Sequence, residues 1–236
     1  MALQPSGLIT LSDIQDEFGG ANPIGMSEYY RGGAYTTSNN IDVPESGAIS
    51  LSDFYSATAA VAVTYELIGG GGGGAGSGTV ANNGGTGTPS AIYGTGFITV
   101  TSAGASGGAT GVYASTNGEA SYYGAGGAAG LNSSNVSNIT AGSPAPSTSY
   151  GAGGGGAGSQ FNGYAGLGGS AATRVVSFQN IAPGTALTVI VGAKGAGGTG
   201  NLYNGGAGAA GYVKITVGGV ATEYTTAGTY TYTVPS

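Results

Sequence analysis

The chain contains no cysteine, no histidine and no tryptophan, and only four of its 236 residues are lysine or arginine. Without Cys and His there is no thiolate–imidazole zinc site, no thiolate nucleophile, no imidazole base and no disulfide framework. Four cations are too few to neutralise a run of phosphates, so nucleic-acid binding is not expected. Charged residues make up 6% of the chain, against ~25% in an ordinary soluble domain. Ordinary solvated disorder combines low hydrophobicity with high net charge, so low charge argues against it. No stretch approaches the ~20 apolar residues of a membrane helix, so no membrane insertion is expected. The opening Met1-Ala2-Leu3-Gln4-Pro5 lacks the basic and apolar regions of a signal peptide. A cysteine-free chain suits a protein built in a reducing cytoplasm that later works outside a cell.

What remains is unevenly distributed. Residues 1–56 carry seven acids (Asp13, Asp16, Glu17, Glu28, Asp42, Glu45, Asp53) and one base, Arg31, for a net charge of −6. Beyond them Glu66, Glu119 and Glu223 balance Arg174, Lys194 and Lys214. Glycine runs the other way, with seven of 53 before residue 69 and 46 from there on. Two modules follow, 1–58 and 59–236, with the boundary in the small-residue stretch Ser56-Ala57-Thr58-Ala59-Ala60.

The first module contains an internal repeat: SGLITLSDI from Ser6 and SGAISLSDF from Ser46 align without a gap. In each, a glycine turn precedes alternating apolar residues, which predicts a short strand, and a Ser-Asp pair then opens a helix. Ser12 with Gln15 reads as a capping box, Gly19-Gly20 as a stop, and Ser27 as a further helix start. The predicted anchors are Ile9, Leu11, Ile14, Phe18, Ile24, Met26, Ile49, Leu51 and Phe54. So few anchors leave a domain of this size marginal. Docking onto a partner or oligomerisation would complete it, and the acidic bias favours docking.

The strings SGLITLSDIQDEFGG, NPIGMSEYYRGG and VPESGAISLSDFY resemble the N-terminal region of structural proteins from tailed bacteriophages, particularly marine and cyanobacterial ones. The resemblance covers residues 5–55. It implies a virion protein of the tail-fibre or fibre-associated kind, attached to other virion proteins through this module, with a homotrimer as the expected assembly. It supplies no catalytic residue.

The second module has three glycine tracts, 69–78 (GGGGGGAGSG), 151–158 (GAGGGGAG) and 192–211. Between them 61–68, 92–100, 174–178, 186–191, 212–217 and 229–234 read as strands: β-branched, aromatic, and bounded by Gly or Pro. Collagen would need Gly at every third position with abundant Pro. A flexible linker is one reading of the tracts. The other is polyglycine II: extended threefold strands in which every residue keeps its N–H for lateral bonding and no side chain holds neighbours apart. Only many such bonds offset the entropy of ordering glycine. This pattern is similar to the polyglycine sandwich of tail-fibre-tip adhesins in some T-even-like phages. The strand-plus-tract pattern also resembles the glycine-rich modules of other phage fibres, in which a TYTVP-type strand usually precedes the strand that enters a tract. Here Thr231-Tyr232-Thr233-Val234-Pro235 closes the chain, so the two ends pair in one sheet or the last strand is donated to a neighbour. The fold class expected is mainly β: a small α+β anchor, then a glycine-rich β/polyglycine-II sandwich.

Enzyme signatures fail on inspection. The glycines after Val61–Ile68 imitate a dinucleotide fingerprint, but Asn82-Asn83-Gly84-Gly85 and Pro89 replace the required helix, and no acid follows until Glu119. No Gly-Lys-Ser/Thr occurs, and Asp53 is the last aspartate, which removes P-loops and calcium-binding glycine repeats. Nothing in the sequence brings Glu119 and Glu223 together as a glycosidase pair. Neither catalysis, a cofactor nor a metal is expected.

Tyrosine is the remaining signal. The segments 110–123, 131–150 and 201–204 are rich in Tyr, Ser, Gly and Asn, the composition of antibody loops. Tyr113, Tyr122, Tyr123, Tyr150, Tyr164 and Tyr203 are therefore candidate receptor contacts for a host surface glycan or outer-membrane protein. The competing reading is that these rings fill space along the glycine tracts. At the level of function, the reading is a virion tail-fibre or adhesin-type protein. Its rivals are a head- or neck-attached fibre or decoration protein, a secreted surface- or ice-binding protein, and an enzyme acting on host polysaccharide.

Overall fold

In a computed structural model, residues 3–36, 40–112, 114–132, 138–159 and 164–235 are described. Helix α1 (Leu11–Phe18) begins where Thr10 caps it. The Thr10 hydroxyl accepts from the Asp13 amide at 3.2 Å, and the Asp13 carboxylate accepts from the Thr10 amide at 2.8 Å. The box therefore lies at Thr10/Asp13 rather than Ser12/Gln15, because the helix starts at Leu11 and puts Asp13 at the third position. Gly19 ends it as expected. Ile14 and Phe18, four residues apart on one face, are buried with Ile9, Tyr29, Val43, Phe54 and Ala57. The second copy of the repeat forms a single 3₁₀ turn, Leu51–Phe54, with Asp53 again accepting from the Ser50 amide (2.8 Å). A further 3₁₀ turn, Met26–Tyr29, follows Gly25. The expected strands of this module are absent among the described residues: 8–10 and 48–50 are in no strand, although Thr10 and Ser50 are extended. Leu51, an expected anchor, is exposed, while Tyr29 and Val43 take core places that the apolar pattern did not reveal.

The second module starts as a β-sandwich. Strands β1 (Val61–Ile68), β2 (Ser90–Gly94), β3 (Phe97–Ser102), β4 (Thr110–Val112), β5 (Ala165–Gly166), β6 (Arg174–Ile181), β7 (Ala186–Val191), β8 (Tyr212–Val217), β9 (Val220–Tyr224) and β10 (Gly228–Thr233) form antiparallel sheets. One is ordered β6-β1-β8-β9 and the other β10-β7-β2-β3, with β4-β5 a separate pair. The mainly β class holds. Val63, Tyr65 and Leu67 of β1, Val213 and Ile215 of β8, and Ile92, Leu187 and Val189 of the facing sheet fill the core. The single strand expected over 92–100 is a hairpin that turns at Thr95-Gly96. Strand β9 was not anticipated, although Gly218 and Gly219 (φ 56° and 81°) form the two-residue turn that a hairpin requires. The last strand, β10, pairs with β7 of the same chain and lies in the sheet opposite β1.

Edge strand β6 has inverted polarity. Its register on β1 sets Phe178 opposite Thr64 and Val176 opposite Glu66 on the outer face. Gln179 turns inward, where its amide donates to the Ile98 carbonyl (2.9 Å) and accepts from the Ile98 N–H (2.8 Å). One side chain thus binds the edge backbone of β3 and closes that side of the sandwich.

The glycine tracts are ordered and bonded. Within 69–78 the amides cycle through three partners with a period of three. Gly70, Gly73 and Gly76 donate to Thr88, Gly85 and Asn82; Gly71, Gly74 and Ser77 donate to Ala209, Gly206 and Tyr203; Gly72, Ala75 and Gly78 donate to Ser170, Leu167 and Tyr164. The carbonyls of this run accept from three others: Gly70 and Gly73 from Ala105 and Gly108, Gly71 and Gly74 from Gly195 and Gly198, Gly72 and Ala75 from Gly154 and Ala157. Six neighbours surround one extended run, the lateral network expected of polyglycine II. The run 151–158 is surrounded in the same way, and both are buried throughout. A methyl group at Gly70 or Gly73 would fall on the carbonyl of Ala193 or Ala196, well inside 3.0 Å. Close lateral approach is what demands glycine here.

The sandwich feeds this array. Strands β1, β3 and β7 run into it, and β2, β6 and β8 emerge from it. Two buried serines join the parts: Ser102 accepts from the Gly69 amide and donates to the Thr173 carbonyl, and Ser90 accepts from the Gly192 amide and donates to the Ile68 carbonyl.

Candidate functional site

The array has two ends, and they divide the candidate tyrosines. At the sandwich end, a turn closed by Ser121 and Gly124 carries Tyr122 and Tyr123, and a second turn ends at Tyr150. At the far end lie 78–82, 109–112, 114–116, 130–132, 158–159, 164–166 and 200–204. Tyr113 falls outside the described residues.

The sandwich-end tyrosines pack on Tyr212 of β8. Tyr150 stacks on it with ring centroids 4.9 Å apart, and Tyr123 meets it edge-on at 5.0 Å. Tyr123 also meets Tyr150 at 5.5 Å and Tyr122 at 5.3 Å. Beneath them the Glu66 carboxylate of β1 accepts from Arg174 Nε at 2.5 Å and from the Tyr123 hydroxyl at 3.0 Å. The Arg174 guanidinium lies 3.8 Å from the centre of the Tyr122 ring, a cation–π contact. Burial pushes the Glu66 carboxyl up, but the hydrogen bonds from Arg174 and Tyr123 outweigh it and hold the group below the usual carboxylate range. Burial, then its bonds to Tyr123 and Glu223, raise the Tyr212 phenol, so it stays neutral. Charge and hydroxyls are thus engaged with each other, and the cluster clamps loops to sheet rather than offering a free base or nucleophile. Its exposed margin continues along β6, where Val176 and Phe178 face solvent (51% and 63% exposed).

The far end is built differently. Tyr164 and Tyr203 are held by their main chains, whose carbonyls accept from Gly78 and Ser77. The Tyr164 side chain is exposed and lines a shallow depression with Thr79, Ala81, Thr110 and Gly111. Val80, Leu131 and Leu202 are exposed at the same end. The loops are locked laterally: Asn201 exchanges bonds with Val80, its amide donating to the Val80 carbonyl and its Oδ1 accepting from the Val80 amide.

The Glu66–Arg174 pair leaves no signal in the sequence, because it depends on the β1–β6 register across 108 positions. Leu131 and Leu202 fall in the segments 131–150 and 201–204 expected as loops, whereas Val80 lies outside every expected loop. Glu119 and Glu223 remain apart in role: Glu119 accepts from the Ala171 amide (3.0 Å), and Glu223 pairs with Lys214 (3.8 Å). Among the described residues no three His, Cys, Asp or Glu side chains group as metal ligands, and no helix is long and apolar enough to cross a membrane. No protein-family model, curated protein or solved structure matches the chain.

Proposed function

We propose that this is a phage virion structural protein of the tail-fibre or adhesin type, whose glycine array stiffens a set of loops for host-surface recognition. One observation carries the reading: the runs 69–78 and 151–158 are each bonded to six neighbours, and the loops at their far end take no part in the sandwich. Such a scaffold costs a large entropy of ordering, which is hard to account for unless rigidity at the loops matters. Exposed Tyr164, Val80, Leu131 and Leu202 give that end rigid aromatic and apolar area. The acidic first module would join the chain to other virion proteins. Its exposed Leu8 (83%) and Ile41 (73%) fit a surface completed by a partner.

Of the candidate contacts, Tyr164 and Tyr203 have the placement a receptor site needs, whereas Tyr123 and Tyr150 are engaged at the joint. Tyr164→Ala and Tyr203→Ala, placed in the virion, should weaken host adsorption while leaving the melting temperature unchanged. Tyr123→Ala should lower the melting temperature. Unchanged adsorption with both far-end variants would remove the receptor role, and labelled particles viewed by electron microscopy would separate a tail fibre from a head decoration.

A further inference from the structure

We propose that Asn83, Asn117 and Asn204 are succinimide-forming modification sites that the glycine array holds shut. Each is followed by glycine, the neighbour that least hinders attack of a backbone nitrogen on the asparagine side chain. In that reaction the glycine nitrogen bonds to Cγ, its proton is lost, and the side-chain nitrogen departs as ammonia. Solvent water then opens the five-membered ring at either carbonyl, giving aspartate or isoaspartate.

All three sites share one restraint. The attacking nitrogen is engaged: Gly84 donates to Gly108 (2.9 Å), Gly118 to Gly127 (2.9 Å), and Gly205 to Gly198 (2.9 Å). The side-chain carbonyl is held as well. Asn83 Oδ1 accepts from the Thr110 amide (3.0 Å), Asn117 Oδ1 from the Ala129 amide (2.7 Å), and Asn204 Oδ1 from the Gly200 amide (3.1 Å). Ring closure requires both bonds to break and the backbone to rotate, inside runs packed too closely for independent movement. The asparagines also have a positive role, because each Oδ1 satisfies a main-chain amide, of Thr110, Ala129 or Gly200. The residue that makes the chain chemically fragile is the one that completes the lateral network. Isoaspartate would insert an extra main-chain carbon there and disrupt the three-residue cycle, so a chain modified while unfolded should not regain the array.

The experiment is a timed incubation in mildly alkaline buffer of the full-length protein, native in one arm and held unfolded in urea in the other. Peptide mapping then resolves asparagine, aspartate and isoaspartate at each position. The native arm should convert roughly a hundredfold more slowly at all three sites, because the reaction must wait for the open state. Dilution of the aged urea arm should give chains that fail to recover amide protection at Gly84, Gly118 and Gly205. Equal rates in the two arms at these sites would overturn the proposal. Slow conversion in both arms would overturn it as well, since local sequence and not the array would then be the restraint.

Discussion

In the sandwich the buried positions are filled by Val63, Leu67, Ile92, Leu187, Val189 and Ile215, and in the 69–78 and 151–158 runs of the array by the methyl groups of Ala75, Ala152 and Ala157 and the small side chain of Ser77. The first region is held by side chains whose contacts tolerate some repacking. The second is held by main-chain bonds in six directions, where the spacing between runs is set by backbone atoms alone. Adding volume should therefore harm the array far more than the sandwich, and removing it should do the reverse.

The largest effect is expected from Gly73→Ala, which would place a methyl group on the Ala196 carbonyl of a neighbouring run. Neither run can yield without breaking its other bonds, so the loss should exceed about 4 kcal/mol or prevent folding, as measured by urea titration or soluble yield. Leu187→Ala empties a fully buried position between the sheets and should cost about 2–5 kcal/mol with the array's amide protection retained. Glu66→Gln comes next, and its effect should depend on pH. The Glu66 carboxyl titrates below its ordinary value in the folded chain, so its stabilisation is present above the unfolded pKa and disappears as pH falls through the folded one. The wild type should melt higher than Glu66→Gln near neutrality, and the gap should close on acidification below the usual glutamate range. A gap that widened in acid would show that the joint is not held by this charge. The smallest effect belongs to Ala75→Gly, which removes volume from the centre of the array and should cost only about 1 kcal/mol. A larger loss there than for Leu187→Ala would overturn the contrast between the two regions.

Much of this was legible in the chain. Strands β1, β7 and β8 coincide with their expected limits because β-branched residues stop abruptly at Gly or Pro. The tracts richest in glycine are the two that became fully surrounded, as close lateral packing requires. The 192–211 tract is two runs folded back on each other at Asn201–Tyr203, inside the 201–204 segment whose Asn and Tyr content marks a loop. The repeated LSD string was legible as a helix start, but the cap is Thr10 with Asp13 instead of Ser12 with Gln15, and the strands expected ahead of it do not form, because an apolar alternation becomes a strand only where another edge is available to it. The candidate tyrosines could not be sorted by composition. Tyr123 and Tyr164 sit in similar surroundings in sequence, and only the fold separates a ring packed on Tyr212 from one exposed at the far end.

The period-three cycling of amides through three neighbours gives the glycine runs a kind of reading frame. Insertion of one or two residues would hand every later N–H to the wrong neighbour, whereas insertion of three advances the run by about 9 Å, at ~3.1 Å per residue, and restores the pattern. The rods could then lengthen during evolution only in triplet steps, while the loops between them vary freely in size. A lineage of such chains would diversify its tips quickly and its shafts by discrete increments.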